Sequence, residues 1–167
     1  PGPSGHGKKF RYITPVTDML GLILETTSGR RYSDLLAEKL LDPLGATGYA
    51  TVALDGQGRA RATGGVSLTA YDLALIGQAL LDGGRSRDGR QVIPPRWIHD
   101  MRHNGDRQAW LDGDCPEIFP DGNYRSCWYN VAGPEAEFLA IGIFGQFLVV
   151  DPHRRVVMVR LSSRPTA

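Results

Sequence analysis

The sequence predicts an α+β fold in which an antiparallel sheet is flanked by helices and the two kinds of element occupy separate stretches of the chain. Apolar residues at helical spacing, opened by capping residues or proline, dominate residues 10–104. Three apolar, β-branched runs crowd residues 126–163. Asp151-Pro152-His153-Arg154 separates two of those runs and reads as a turn between antiparallel neighbours.

Composition fits that fold and bounds the function. A chain of 167 residues, 41% hydrophobic, is long enough for one core and reads as one domain over residues 1–167. No run approaches the ~18 apolar residues of a membrane span. A net charge of +1 leaves no electrostatic footprint for nucleic acid, so a small-molecule partner is expected. Cys115 and Cys127 are too few for a disulfide framework in a chain this size, and free thiols in a cytoplasmic protein are expected. The chain opens on Pro1 with no signal segment, which reads as an excerpt of a longer polypeptide, incomplete at its N-terminus.

Residues 1–9 are rich in glycine and proline and read as loop. Thr14 is the expected N-cap of a first helix, with Pro15 at its first position. Val16, Met19, Leu20, Ile23 and Leu24 then mark a core-facing stripe that ends near Gly29. Ser33 is expected to cap a second helix, with Leu36 and Leu40 on one face and Pro43 as its stop. Residues 49–54 suggest a short strand, and Asp55-Gly56-Gln57-Gly58 a hairpin-type turn.

Thr69-Ala70-Tyr71-Asp72 resembles a capping box, with Asp in place of Glu or Gln, ahead of a third helix that Gly83-Gly84 ends. Pro94-Pro95 opens a fourth helix carrying Trp97, Ile98 and Met101 on one side. Residues 105–125 read as a long polar loop around Trp110 and Phe119, a rim for a substrate cleft. Strands are expected at 127–131, 138–150 and 155–161. The middle run, with glycines at 142 and 145, should be two strands meeting at a tight turn or one kinked strand. The near-continuous apolar runs 147–150 and 156–159 predict that both faces of the sheet are covered.

The chemistry begins at Tyr12, two residues before the first helix start. A helix N-terminus presents free N–H groups and positive potential, a setting that favours a phenolate and makes tyrosine a usable base. Four blocks in order surround this reading: residues 10–21 (FRYITPVTDMLG), 64–74 (GGVSLTAYDLA), 119–124 (FPDGNY) and 142–146 (GIFGQ). Together they resemble the serine hydrolases of the penicillin-binding, class C β-lactamase and esterase superfamily, nearest to the 6-aminohexanoate-dimer (nylon oligomer) hydrolase branch. The resemblance implies a β-lactamase/transpeptidase-like fold and no cofactor or metal.

It also implies roles. Tyr12 matches the tyrosine that assists proton transfer, and Ile143 the strand position whose backbone N–H forms part of an oxyanion hole. Gly142 and Gly145, lacking side chains, let a substrate lie against that strand. The family's nucleophile, the serine of a Ser-x-x-Lys element, has no match: the lysines are Lys8, Lys9 and Lys39, and three residues before them stand Gly5, His6 and Leu36. A missing N-terminal segment carrying Ser-x-x-Lys is therefore the expected partner. Thr14 stands where relatives have Asn or Ser, Thr63 where the nylon oligomer branch has Asn, and Phe144 where it has His. These changes leave acyl transfer expected and point the substrate towards an ester or small linear amide.

Two other classes remain open. His99-Asp100-Met101-Arg102-His103 places two histidines at i and i+4 and loosely echoes zinc-hydrolase helices, though without a third ligand. A ligand-binding relative that keeps the cleft and lacks the nucleophile also fits the absent Ser-x-x-Lys.

Overall fold

The structure, a computed structural model, describes residues 5–165. Its centre is a five-stranded antiparallel sheet whose strands lie side by side in sequence order: β3 (Asn123–Arg125), β4 (Trp128–Asn130), β5 (Phe138–Gly142), β6 (Gln146–Asp151) and β7 (Val156–Arg160). The expected middle run is two strands. β5 and β6 pair from Phe138 opposite Val150 to Gly142 opposite Gln146, and the chain reverses through Phe144 and Gly145. Both turn residues have left-handed backbone, φ 60° and 80°, and Gln146 N–H donates to the Ile143 carbonyl. Three residues, Ile143, Phe144 and Gly145, thus lie between the last paired positions, and left-handed backbone at the second and third reverses the chain. Ser126 and Cys127, at φ 52° and 67°, make the β3–β4 connection with the same handedness.

Core forms on both sides of this sheet. On one, Phe138, Leu148 and Val150 pack against Leu80 of α4 (Ala70–Leu81) and Met101 of α5 (Pro95–His103). Gly77 permits the close approach of α4, since a Cβ there would come within 2.5 Å of Val157. On the other side Trp110, Tyr129 and Leu139 form a cluster with Phe10, Tyr124, Ile141 and Phe147 around it. Burial and the chain's order thus agree with α+β segregation.

Several expectations need correction. Residues 105–125 are not an irregular loop: they hold α6 (Arg107–Leu111), a 3₁₀ turn (Pro116–Ile118) and β3. Asp106 caps α6 by accepting Ala109 N–H at 2.9 Å, and Trp110 is fully buried with its indole N–H on the Phe119 carbonyl. Pro43 does not stop the second helix, nor does Ser33 cap it. Arg31 is the N-cap of α2 (Tyr32–Leu36), which widens into a π segment (Ala37–Leu41) and continues as α3 (Asp42–Leu44) up to Gly45. A proline in an α-helix collides with the carbonyl four residues earlier, here that of Lys39, and the wider π turns relieve that collision. The strand expected at 49–54 shrinks to β1 (Thr51–Val52), paired with β2 (Val66–Ser67).

The capping box forms in a modified way. Thr69 accepts Asp72 N–H at 3.1 Å and its hydroxyl donates back to Asp72 Oδ2 at 2.8 Å, while the shorter Asp72 carboxylate also accepts the N–H groups of Thr47 and Gly48, both at 3.0 Å. Asp72 is buried, and its carboxyl is held below the usual carboxylate range by the Thr69 hydroxyl first and the Thr47 N–H next.

The largest difference concerns α1 (Thr14–Ser28). The helix forms and ends at Gly29 in left-handed conformation, yet Val16, Met19, Leu20, Ile23 and Leu24 are all exposed and only Gly21 is buried. Coverage of both sheet faces fails at β7, where Val156 and Met158 are also exposed. Periodicity predicts which residues share a face; it does not supply a layer to cover that face.

Candidate active site

Residues 10–13 run as an extended segment into α1, and extended backbone points alternate N–H groups to one side. Both take partners from the α6 region: Phe10 N–H donates to the Ala109 carbonyl at 2.7 Å, and Tyr12 N–H to Asp114 Oδ2 at 2.9 Å. Residues two apart also share a side in extended backbone, and the rings of Phe10 and Tyr12 both meet Tyr124. Phe10 wedges between Trp110 and Tyr124, with ring centroids 5.1 and 4.7 Å away, and serves as a half-buried anchor. Tyr12 remains about half exposed at 54% and meets Tyr124 edge-on at 6.3 Å.

The surrounding phenols differ from Tyr12 in burial. Burial pushes Tyr129 up to about 12, and negative charge on Tyr12 pushes in the same direction. Burial likewise drives Tyr124 far above the ordinary tyrosine range, with Cys127 and then Tyr12 adding to it. Neither inner phenol releases a proton near neutrality, and of the three only Tyr12 is exposed to solvent.

The N-cap of α1 is Ile13, not Thr14, and Pro15 lies one place deeper than expected. Thr14 is thus the first helical residue, with its carbonyl accepting the Thr63 hydroxyl at 2.8 Å. Thr63 N–H donates to Asp18 Oδ1 at 2.8 Å, and Arg61 lies 4.0 Å from the same carboxylate. The two threonines expected at the site are therefore bonded to each other. Gly21 seats the helix on this loop: a Cβ there would meet the Ala62 Cβ at 2.7 Å.

Gly142, Ile143, Phe144 and Gly145 form the tip of the β5–β6 hairpin, with Ile143 and Phe144 exposed. Phe144 sits in left-handed backbone that costs a bulky residue on the order of 1 kcal/mol or more, a conformation found at ligand sites. Across the hairpin base, Gln146 anchors the tip. Its side-chain amide donates to the Ser162 carbonyl and accepts Ser162 N–H at 3.1 Å.

Tyr12 and Ile143 each lie two residues beyond a member of one cluster, Phe10 and Ile141 respectively, which pack on the same sheet face. Cavities of about 170 and 680 Å³ flank α1, lined in part by Asp18, Glu25 and Arg59, and neither includes Tyr12 or Ile143. The Tyr12 side chain is open to solvent, while its backbone N–H is already taken by Asp114.

His99 and His103 stack face to face, centroids 4.1 Å apart, and His103 Nδ1 lies 2.9 Å from the His99 carbonyl. Among the described residues no group of three or more histidine, cysteine or acidic side chains is arranged to hold a metal. Cys115 and Cys127 are free thiols, with Cys115 pushed up by burial first and by Glu117 and Asp114 after it. Among the described residues no helix is long and apolar enough to cross a membrane. Asp114, Asp18 and Tyr124 are the neighbours of the site that sequence reasoning passed over. Asp114 and Asp18 act across 102 and 45 residues; Asp18 and Tyr124 lie inside blocks that carried a sequence signal, whereas Asp114 lies in none.

Comparison with known proteins bears on this arrangement. The chain is 38% identical over 164 residues to the 6-aminohexanoate-dimer hydrolase of Paenarthrobacter ureafaciens, covering 98% of this chain and 41% of that protein. A solved structure from Bacillus anthracis, provisionally named a 6-aminohexanoate-dimer hydrolase, superposes with a TM-score of 0.82 at 25% identity, covering 95% of this chain and 39% of that one. A provisionally named β-lactamase of Bacteroides dorei shares the fold, with a TM-score of 0.69 at 18% identity over 93% of this chain and 52% of its own. The chain spans about two fifths of the length of the curated relative it matches. The β-lactamase family model matches residues 2–167, and the chain belongs to the β-lactamase family.

Proposed function

We propose that this chain supplies the tyrosine and oxyanion parts of a serine hydrolase that cleaves a small linear amide or ester through an acyl-serine intermediate. The nucleophile in this reading is the serine of a Ser-x-x-Lys element in polypeptide outside these 167 residues. The observation that carries the proposal is Tyr12 itself, a half-exposed phenol fixed through its backbone by Asp114 and presented at the start of α1.

The steps follow from those positions. Tyr12 takes part in moving the proton off the attacking serine hydroxyl, whose oxygen bonds to the substrate carbonyl carbon. The Ile143 N–H, together with a second backbone donor, holds the oxyanion, a contribution of about 2.7–4 kcal/mol per donor in well-studied enzymes. Tyr12 then returns the proton to the leaving amine or alkoxide, and water repeats the sequence on the acyl-serine to release the acid. Thr14, Thr63, Gly142, Phe144 and Gly145 border the acyl and leaving groups in this reading, and Phe144 makes that border more apolar than histidine would. The curated relative's name supports a linear amide as substrate class.

The test is covalent trapping. The intact polypeptide containing this chain is treated with a fluorophosphonate and digested, and the labelled peptide is identified by mass. A single label on the serine of a Ser-x-x-Lys element is expected. No label, combined with retained binding of amide dimers, favours a ligand-binding relative that lacks the nucleophile. The absence of Ser-x-x-Lys from these 167 residues is the observation behind that second reading.

A further inference from the structure

We infer that Asp114 is a positioning residue for Tyr12, the far jaw of a clamp that sets where the phenol stands. The inference rests on the reading of Tyr12 as the proton-transfer group and adds what holds it there. Tyr12 lies two residues before α1 and one before its N-cap Ile13, so no helical hydrogen bond restrains its own N–H. That N–H is instead taken by Asp114 Oδ2 at 2.9 Å. Two residues earlier, Phe10 N–H is taken by the Ala109 carbonyl at 2.7 Å.

Between these two bonds the backbones nearly touch. A Cβ on Gly113 would come within 2.8 Å of the Phe10 Cβ and 3.0 Å of the Phe10 carbonyl oxygen. The whole of residues 10–12 is thus held against α6 and the turn after it. α6 is in turn fixed by the buried Trp110 and by the Asp106 cap. An extended segment with an N–H free at residue 12 would pivot about the Phe10 anchor, and the half-exposed ring at its end would move with it. A carboxylate also forms a stronger bond to a backbone N–H than a carbonyl does. Proton transfer depends on heavy-atom distances near 2.6–3.2 Å, so a small pivot costs rate before it costs binding.

The experiment is a double-mutant cycle in the intact polypeptide, with kcat and KM measured on a p-nitrophenyl ester and on a linear amide dimer. Asp114→Ala is expected to lower kcat on the order of tenfold to a hundredfold with KM within about twofold. Asp114→Asn keeps an oxygen that accepts the Tyr12 N–H and should recover most of that loss. In a Tyr12→Phe background Asp114→Ala should cause no further fall, because the hydroxyl it positions is gone.

An equal fall in both backgrounds overturns the clamp, as does a wild-type kcat for Asp114→Ala alongside a strong Tyr12→Phe defect. A Tyr12→Phe enzyme of normal kcat overturns the reading of Tyr12 as well, which separates the two failures. Should Asp114→Ala not fold, Gly113→Ala carries the same cycle, since it displaces Phe10 at the middle of the clamp. It is expected to lower kcat only while Tyr12 keeps its hydroxyl, and a fall in both backgrounds counts against the clamp.

Discussion

Tyr124 stands edge-on to Tyr12 at 6.3 Å with the ring planes 77° apart, its own proton locked in place by burial. The pair separates support from chemistry: one phenol provides a wall, the other faces solvent. Removing only the hydroxyl of Tyr12 leaves that wall intact. In the intact polypeptide, Tyr12→Phe is expected to lower kcat by about 10²–10⁴-fold on both ester and amide, the usual range for an acid–base group, with a much smaller change in KM. Steady-state kinetics with both substrates decides it; a near-normal kcat on both is the contrary result.

Phe144 projects from the β5–β6 turn beside Ile143 in left-handed backbone, which histidine enters more readily than phenylalanine. Phe144→His restores a polar group beside the proposed oxyanion donor. The expected outcome is a changed ratio of ester to amide kcat/KM with little change in melting temperature, and an unchanged ratio would remove Phe144 from the substrate border.

The Asp72 carboxylate has a lowered pKa because Thr69, Thr47 and Gly48 donate to its charged form. A lowered folded-state pKa contributes stability that is present above the unfolded carboxylate value, about 3.9, and is lost as pH falls through the folded value. Asp72→Asn should therefore melt below wild type at pH 7, and the gap should close as pH drops below about 4. Thermal melts of the two proteins between pH 3 and 7 test the convergence.

Arg102 is 6% exposed and forms no ion pair among the described residues: it donates to Asn130 Oδ1 and to the carbonyls of Pro134 and Ala136, and its guanidinium lies 4.1 Å from the Phe138 ring centroid. Burial lowers its pKa to about 10, still protonated at neutrality. Arg102→Ala leaves those oxygens unpaired and should cost about 3 kcal/mol in urea unfolding. Arg102→Lys should recover only part of it, because an ammonium lacks the planar fork that reaches several acceptors at once.

Sequence reasoning reached the elements whose signals are local. The Thr69 cap, the Gly29 stop and the paired strands within residues 138–150 were all legible, because each depends on residues adjacent in the chain. α6 was not: five residues are too few for a period, and its Asp106 cap sits in a stretch crowded with other polar residues. The π segment at Ala37–Leu41 escaped because Pro43 was read as a stop when the helix widens to admit it. At the site, Tyr12 and the hairpin tip stood out, whereas Asp114 and Asp18 become neighbours only through folding.

Gly21 gives the site a mechanical character of its own. It is the one buried residue of α1, and the helix rests there almost bare against Ala62, one residue from Thr63. The spacing between the tyrosine-bearing helix and the loop opposite is consequently gauged by a hydrogen atom in place of a methyl group. A spacer that thin has no slack, so Gly21→Ala would lift the helix bodily, stretching the Thr63–Thr14 bond and shifting Tyr12 together with it. Drift in the breadth of such a site over evolutionary time would then run through side-chain size at a contact that never meets substrate.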